Sequence, residues 1–369
     1  MADSAKSNRV DLAEIDARIH DLMRGEDMVG LGAVIIENGE VTLLKGYGET
    51  LSGSGDLVTH ETVFRWASIS KGIASATTLL LAEEGHFNLT SPVNAHAESL
   101  AKRGVFKDVS LENILSHQTG FARNSYDKKI EAGKLARPIR ASLTNLSPIC
   151  DPGECHRYQN VLFDVVSEMA EIVTGLPYKA VVAQRIFRPL KMQTASLTLE
   201  GLVRSKSWAK PHSRKGEIVE RVKPTYYRVP AAAGVNSSIE DMGHWMLAQM
   251  GQNEDVLPLA LLETLHKARV ETPRESLKMR RNFHALRKAR YGYGWRIYNF
   301  SGRDVVGHRG AVQGYRAALL FDPELDTGVG LLWNSGSPRP VGLQLEIFDQ
   351  VYGLPKRDWM RLNLREFPR

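Results

Sequence analysis

Residues 62–89, TVFRWASISKGIASATTLLLAEEGHFNL, change character within their first few positions. TVFRWA has the aromatic and β-branched make-up of an extended segment, while from Ser68 to Gly85 small and apolar residues run on as a buried helix. Lys71 stands near the head of that helix. An ammonium taken out of water costs several kcal/mol unless it is paired or loses its proton, so a core lysine needs a partner or a task. Ser68 lies three residues earlier, nearly one helical turn, and would share Lys71's face at the positive end of the helix. A desolvated lysine can share or accept a proton and so assist a serine nucleophile. The plainer alternative is an N-capping serine beside a lysine whose stem snorkels to solvent. Ser-x-x-Lys also occurs at Ser99/Lys102, Ser125/Lys128 and Ser207/Lys210, so context rather than spacing singles out Ser68.

Working outward, residues 11–24 have an amphipathic helical pattern, and LGAVIIENGEVTLLKGYG (31–48) is two apolar runs around Asn38-Gly39, a hairpin signal. Helical signals then dominate: SLENILSHQ (110–118), NVLFDVVSEMAEIVTG (160–175), and segments near 239–250 and 259–267 within a mixed stretch from 176 to 290. Beyond Tyr291 the period returns to strands, GYGWRIYNF, DVVGH, GYRAALLFDPE and TGVGLLWN, before a last helix near 342–352. This order predicts an α+β fold. Its antiparallel sheet is shared by the two termini (1–74 and 290–369) and flanked by helices, and a mostly helical insertion (75–289) lies between.

The chain has 369 residues, 48 basic against 42 acidic, for a net charge of +6. The bases concentrate at 204–223 and 278–290, but without aromatic interleaving or Cys/His metal spacing, so solvated faces are expected, with no nucleic-acid partner and no metal. No apolar run has signal-peptide or membrane-spanning character, and a cytoplasmic protein is the expectation. The two cysteines, Cys150 and Cys155, are expected as free thiols, although an oxidising compartment would let them close a small loop. Cys155 beside His156 suggests a rival nucleophile and base, but neighbours in an extended segment point to opposite faces.

Two further triplets occur once each: Tyr158-Gln159-Asn160, directly before a helix, and His308-Arg309-Gly310, between predicted strands. In the order Ser-x-x-Lys, Tyr-x-Asn, His-x-Gly, they resemble the three signature motifs of the serine β-lactamase and penicillin-binding-protein superfamily. The resemblance is nearest to its class C-like branch, which includes DD-peptidases, D-aminopeptidases and esterases. The blocks LENILSHQTGF, PGECHRYQN and VVGHRGAVQGYRAALLFDPE extend it over nearly the whole chain.

The resemblance implies a cofactor-free enzyme in which Ser68 attacks an ester or amide carbonyl to form an acyl-enzyme. Lys71 and Tyr158 would exchange its proton, the ammonium favouring phenolate character at Tyr158, and Asn160 would orient Lys71. His308 would supply a hydrogen bond and a titratable charge across the cleft. The backbone N–H groups of Ser68 and Ala311 would bind the oxyanion, and Gly310 would let the sheet edge approach the substrate. Ser-Asp-Asn and Lys-Thr-Gly are both missing, and His308 stands where many relatives have lysine, which moves weight away from β-lactam hydrolysis. Arg309 either binds a substrate carboxylate or points aside. The expected function is serine hydrolysis of a small ester, amide or D-amino-acid peptide. The alternatives are an acyltransferase, a catalytically silent binding module and a true class C-like β-lactamase.

Overall fold

The computed structural model describes residues 9–100, 104–219 and 221–362; Lys102 and the first eight positions of the expected N-terminal lobe lie outside them. Helix α1 (Leu12–Met23) starts where the Asp11 carboxylate accepts the Glu14 N–H at 3.0 Å, and it buries Ile15, Ile19 and Leu22. Strands β1 (Gly30–Glu37) and β2 (Glu40–Gly48) follow, joined through Asn38 and Gly39. These two residues have φ of 54° and 82°, the left-handed pair that a tight hairpin turn demands.

After the two-residue strand β3 (Phe64–Arg65) comes α2 (Ser70–Glu83). The middle of the chain is helical, with Leu111–Leu115, Val165–Thr174, Ile239–Gln249 and Leu259–His266 among its elements, and β4 (Asn236–Ser237) returns to pair with β3. The helix expected from Asn160 begins at Val165 and stops as foreseen at Gly175, whose φ is +67°.

The C-terminal third supplies β5 (Val270–Glu271), β6 (Leu286–Tyr291), β7 (Arg296–Phe300), β8 (Arg303–Val312), β9 (Tyr315–Asp322) and β10 (Thr327–Trp333). With β1 and β2 they form one antiparallel sheet in the order β2-β1-β10-β9-β8-β7-β6-β5, Leu31 pairing with Trp333 where the two ends of the chain meet. Two strands, β5 and β6, precede Tyr291. Charged residues crowd β6 (LRKARY), which hides its strand pattern in the sequence.

Strand β1 is buried on both faces, and its alternation splits the core. Leu31, Ala33 and Ile35 face α1 and the C-terminal helix Pro340–Val351, whereas Val34 and Ile36 face the core that includes α2 and the helical insertion.

Ser68 sits in the 3₁₀ turn Ala67–Ile69 that feeds α2, not at a side-chain N-cap. Ala67 holds φ at +48°, a conformation that costs an L-residue about 1–2 kcal/mol and turns the next side chain out of the strand line. Strand β8 packs against this turn: a Cβ on Gly310 would fall 2.0 Å from the Trp66 carbonyl oxygen and 3.1 Å from the Ala67 Cβ. The missing side chain of Gly310 therefore lets the strand meet the turn that carries Ser68. Cys150 and Cys155 form a disulfide, contrary to the free thiols expected, closing the loop just before Tyr158 and excluding a Cys155 thiolate nucleophile.

Gly310→Ala should cost about 1–3 kcal/mol of stability or more in urea denaturation, because backbone on both sides of the contact must move. A loss under about 0.5 kcal/mol would show that the contact yields freely.

Candidate active site

Lys71 is fully buried and makes three polar contacts. Its Nζ lies 2.8 Å from Asn160 Oδ1, 2.9 Å from the Ala232 carbonyl oxygen and 3.5 Å from Ser68 Oγ. Burial pushes its pKa down to about 7; Asp127 pulls upward and Arg296 adds to the depression. A neutral amine has two N–H bonds and one lone pair. The two carbonyl oxygens accept the first two, which leaves the lone pair for the Ser68 hydroxyl.

Asn160 is held in the matching orientation, since its Nδ2 donates to Asp127 Oδ2 at 2.7 Å. Asp127 opens the short helix Asp127–Glu131 and is itself buried. In sequence it belongs to DKKIE, which looks like a solvated charge run, so nothing local marks it as the support of Asn160.

Tyr158 hydrogen-bonds to Ser68, and its ring lies 4.7 Å from Lys71 Nζ. Burial raises the phenol to about 12 despite the Ser68 hydrogen bond and the nearby Arg296. It is therefore neutral near pH 7, and the expected phenolate is not supported. His117, buried with φ of +59°, packs its ring 4.3 Å from that of Tyr158 and accepts the Gln159 N–H through Nδ1 at 3.3 Å. It positions the Tyr-x-Asn segment.

His308 is also buried, and both ring nitrogens are engaged within the protein. Nδ1 donates to the Arg309 carbonyl oxygen at 2.9 Å, which leaves Nε2 to accept the Tyr291 hydroxyl at 3.1 Å. Burial, reinforced by Arg296 and Lys71, holds the imidazole well below its ordinary pKa. The titratable charge expected of it is lost to desolvation, and neither nitrogen is left over for a substrate. Its ring stacks at 6.3 Å from Tyr158, so it forms one wall of the phenol's slot.

Arg309 lines the same cavity as Ser68, beside Phe283. Its guanidinium lies 5.0 Å from the Phe283 ring centre, with Nη2 3.4 Å from Met279 Sδ. Gly310 and the exposed Ala311 continue β8 past the turn that carries Ser68. The cavity that contains Ser68, Tyr158, His308, Gly310 and Ala311 has a volume of about 1300 Å³.

One residue beside these was absent from the sequence reading. Arg296, the first residue of β7, has its guanidinium carbon 5.7 Å from the Tyr158 ring centre and 5.5 Å from that of Tyr291. It contributes to the depressed pKa values of Lys71, His117, His156 and His308. A single arginine in a strand carries no motif, and only the sheet register brings it beside the phenol.

Among the described residues, His60, Glu61 and Glu240 bring candidate metal-ligand atoms within 4.8 Å of one another, but none of the three lines this cavity. No described helix is long and apolar enough to cross a membrane.

Comparison with known proteins agrees with this architecture. The chain is 24% identical over 380 residues to unguisins hydrolase ungD of Aspergillus violaceofuscus, covering 94% of this chain and 65% of that protein. It is 24% identical over 331 residues to Protein flp of Staphylococcus aureus (strain COL), covering 88% of this chain and 63% of the relative. The chain thus spans slightly less than two thirds of the length of these curated relatives. Its fold matches that of an octameric penicillin-binding protein homologue from Pyrococcus abyssi with a TM-score of 0.83, at 23% identity, over 94% of this chain and 78% of the other. It matches D-alanine carboxypeptidase AmpC from Burkholderia cenocepacia with a TM-score of 0.74, at 18% identity, over 94% of this chain and 99% of the other. The Beta-lactamase family model matches residues 15–351, and the chain belongs to that family.

Proposed function

We propose that this protein is a serine hydrolase that cleaves a small ester or amide, D-amino-acid peptides included, through an acyl-enzyme on Ser68. The observation that carries this reading is the fully buried Lys71, whose Nζ lies 3.5 Å from Ser68 Oγ with Asn160 Oδ1 and the Ala232 carbonyl oxygen as its other partners, so that the amine, once neutral, can turn its lone pair to the Ser68 hydroxyl. A lysine held only for packing would be a costly choice at this position. The hydrolase and carboxypeptidase among the similar proteins support the general class.

Ser68 Oγ attacks the carbonyl carbon as its proton passes to Lys71 Nζ. The new ammonium keeps Asn160 Oδ1 and the Ala232 carbonyl as acceptors, and Asp127 offsets its charge. The backbone N–H groups of Ser68 and Ala311 receive the oxyanion. On collapse, Tyr158 gives its phenolic proton to the departing oxygen or nitrogen and regains one from Lys71. Water then attacks the acyl-enzyme by the reverse relay, with its proton returning to Ser68 Oγ. A neutral phenol suits this donor role better than a phenolate would.

Screening p-nitrophenyl esters, D-alanyl anilides and nitrocefin, with a fluorophosphonate probe and peptide mapping, tests the proposal. Label should fall on Ser68 and disappear in Ser68→Ala without loss of fold; label that persists in the variant would refute the nucleophile. Tyr158→Phe should lower kcat by about 10²-fold or more, and a fully active variant would remove Tyr158 from the relay.

Because protonated Lys71 cannot accept the serine proton, kcat/KM should fall on the acid side of about pH 7 and level off above it. Asp127 raises the Lys71 pKa, so Asp127→Asn should shift this limb to lower pH. A limb that stays in place would show that the carboxylate does not act on the amine.

A further inference from the structure

Asp164 stands at the head of the helix Val165–Thr174, where an acid ordinarily accepts an N–H of its own first turn. It makes no such cap. Its carboxylate turns to other segments instead, Oδ1 accepting the Ala231 N–H at 2.9 Å and Oδ2 accepting Arg140 Nη1 at 2.7 Å. The Ala231 N–H belongs to the first turn of Pro230–Ala233, which has no side-chain cap of its own, so without Asp164 this buried donor would be orphaned.

The neighbours of this bond lead to Lys71. Ala232, next in the chain, offers its carbonyl oxygen to Lys71 Nζ at 2.9 Å. The Asp164 N–H donates to the backbone carbonyl of Asn160 at 3.1 Å, and Asn160 Oδ1 is the other carbonyl acceptor of the amine. One residue thus bonds to both segments that hold the amino group.

Asp164 is 1% exposed and Arg140 4%. Arg140 is held in turn by Glu168 Oε2 at 2.9 Å and Ser99 Oγ at 3.2 Å. Burial pushes the Asp164 carboxyl above its ordinary range, against the pull of Arg140 and the Ala231 N–H. Apolar residues often stabilise such a place as well as a buried ion pair does, so stability alone does not account for the acid. Neither residue lines the Ser68 cavity, and an effect on the reaction must pass through other groups.

We infer that Asp164, held by Arg140, is a positioning residue for the reaction: through Ala231 and Asn160 it fixes the two carbonyl oxygens that keep the Lys71 amine aimed at Ser68. The inference rests on the hydrolase reading for the reaction but not for the geometry.

Removing Asp164 alone would strand a buried guanidinium, so paired variants test the role. Asp164→Asn/Arg140→Gln exchanges the ion pair for an amide pair whose new amide oxygen can still accept the Ala231 N–H. Asp164→Leu/Arg140→Met exchanges it for an apolar pair that cannot. Both remove the same two charges, so the difference between them is the hydrogen bond. The rate at which a fluorophosphonate labels Ser68 should stay within about threefold of the parent in the amide pair and fall at least about tenfold in the apolar pair. For any p-nitrophenyl ester that is turned over, kcat should follow the same pattern with KM changed less than about threefold. If the apolar pair does not fold, Asp164→Glu, which keeps the charge but displaces the carboxylate, should show the tenfold loss in its place. A purely structural pair would change the melting temperature and leave the rate per folded molecule alone. Equal rates in the two arms overturn the inference.

Carbon-13 NMR of lysine-labelled protein reads the amine without turnover. The titratable and charged groups around Lys71 are Asp127, Asp164, His117, Tyr158, Arg296 and His308, of which both paired variants change Asp164 alone. An ammonium that loses the Ala232 carbonyl is less stable, so the Lys71 midpoint should lie at least about 0.5 pH unit lower in the apolar pair than in the amide pair. That difference in a protein whose Ser68 takes no label and cleaves no ester would count against the hydrolase reading alone. Coincident midpoints, or a higher one in the apolar pair, overturn the inference.

Discussion

The enclosure of one amino group organises much of this molecule. Lys71 has no exposed surface, and its burial is tolerated because two carbonyl oxygens take its N–H bonds and an acid stands one residue further out. Each acceptor comes from a different part of the chain: Asn160 precedes the helix Val165–Thr174, Ala232 lies in the turn Pro230–Ala233, and Asp127 starts a short helix of the insertion. Satisfying the amine therefore fixes where these segments must meet α2. The same enclosure lowers the proton affinity of the amine, so packing and titration are set by one burial.

Desolvation acts on the neighbouring groups in a common direction, toward the neutral form. It depresses Lys71, His117, His156 and His308 and raises Tyr158 and Tyr291. Charge in this region is left chiefly to guanidinium groups, which do not surrender a proton. The titratable groups around Lys71 thus lean to their neutral forms, while the permanent charge lies on arginines at their edge.

The parts of this arrangement legible in the sequence were those set by local geometry or by motif. Asn38-Gly39 announced its hairpin because few other dipeptides accept two left-handed residues. Ser68 and Lys71 could be placed together because three residues is nearly one helical turn, and Tyr158, Asn160 and His308 entered through triplets that resemble a family pattern. What stayed hidden depends on the surroundings of a residue. Asp127 carries no motif and is tied to Asn160 only by burial, and Arg296 had no signal before the sheet register set it beside Tyr158. His308 was expected to carry charge, an expectation that failed because the Tyr291 hydroxyl and the Arg309 carbonyl occupy both nitrogens. The cysteine pair could be read either way, since closing the loop depends on compartment as well as spacing.

The contact of Gly310 with Trp66 has a mechanical consequence. The Trp66 N–H also bonds to the Val235 carbonyl, and Gly294 lies against the Lys71 carbonyl so closely that a Cβ would sit 2.5 Å away. The turn that carries Ser68 is thus held from two sides, by strand β8 and by the segment that contains Val235. A shift of Ser68 would have to break both contacts at once.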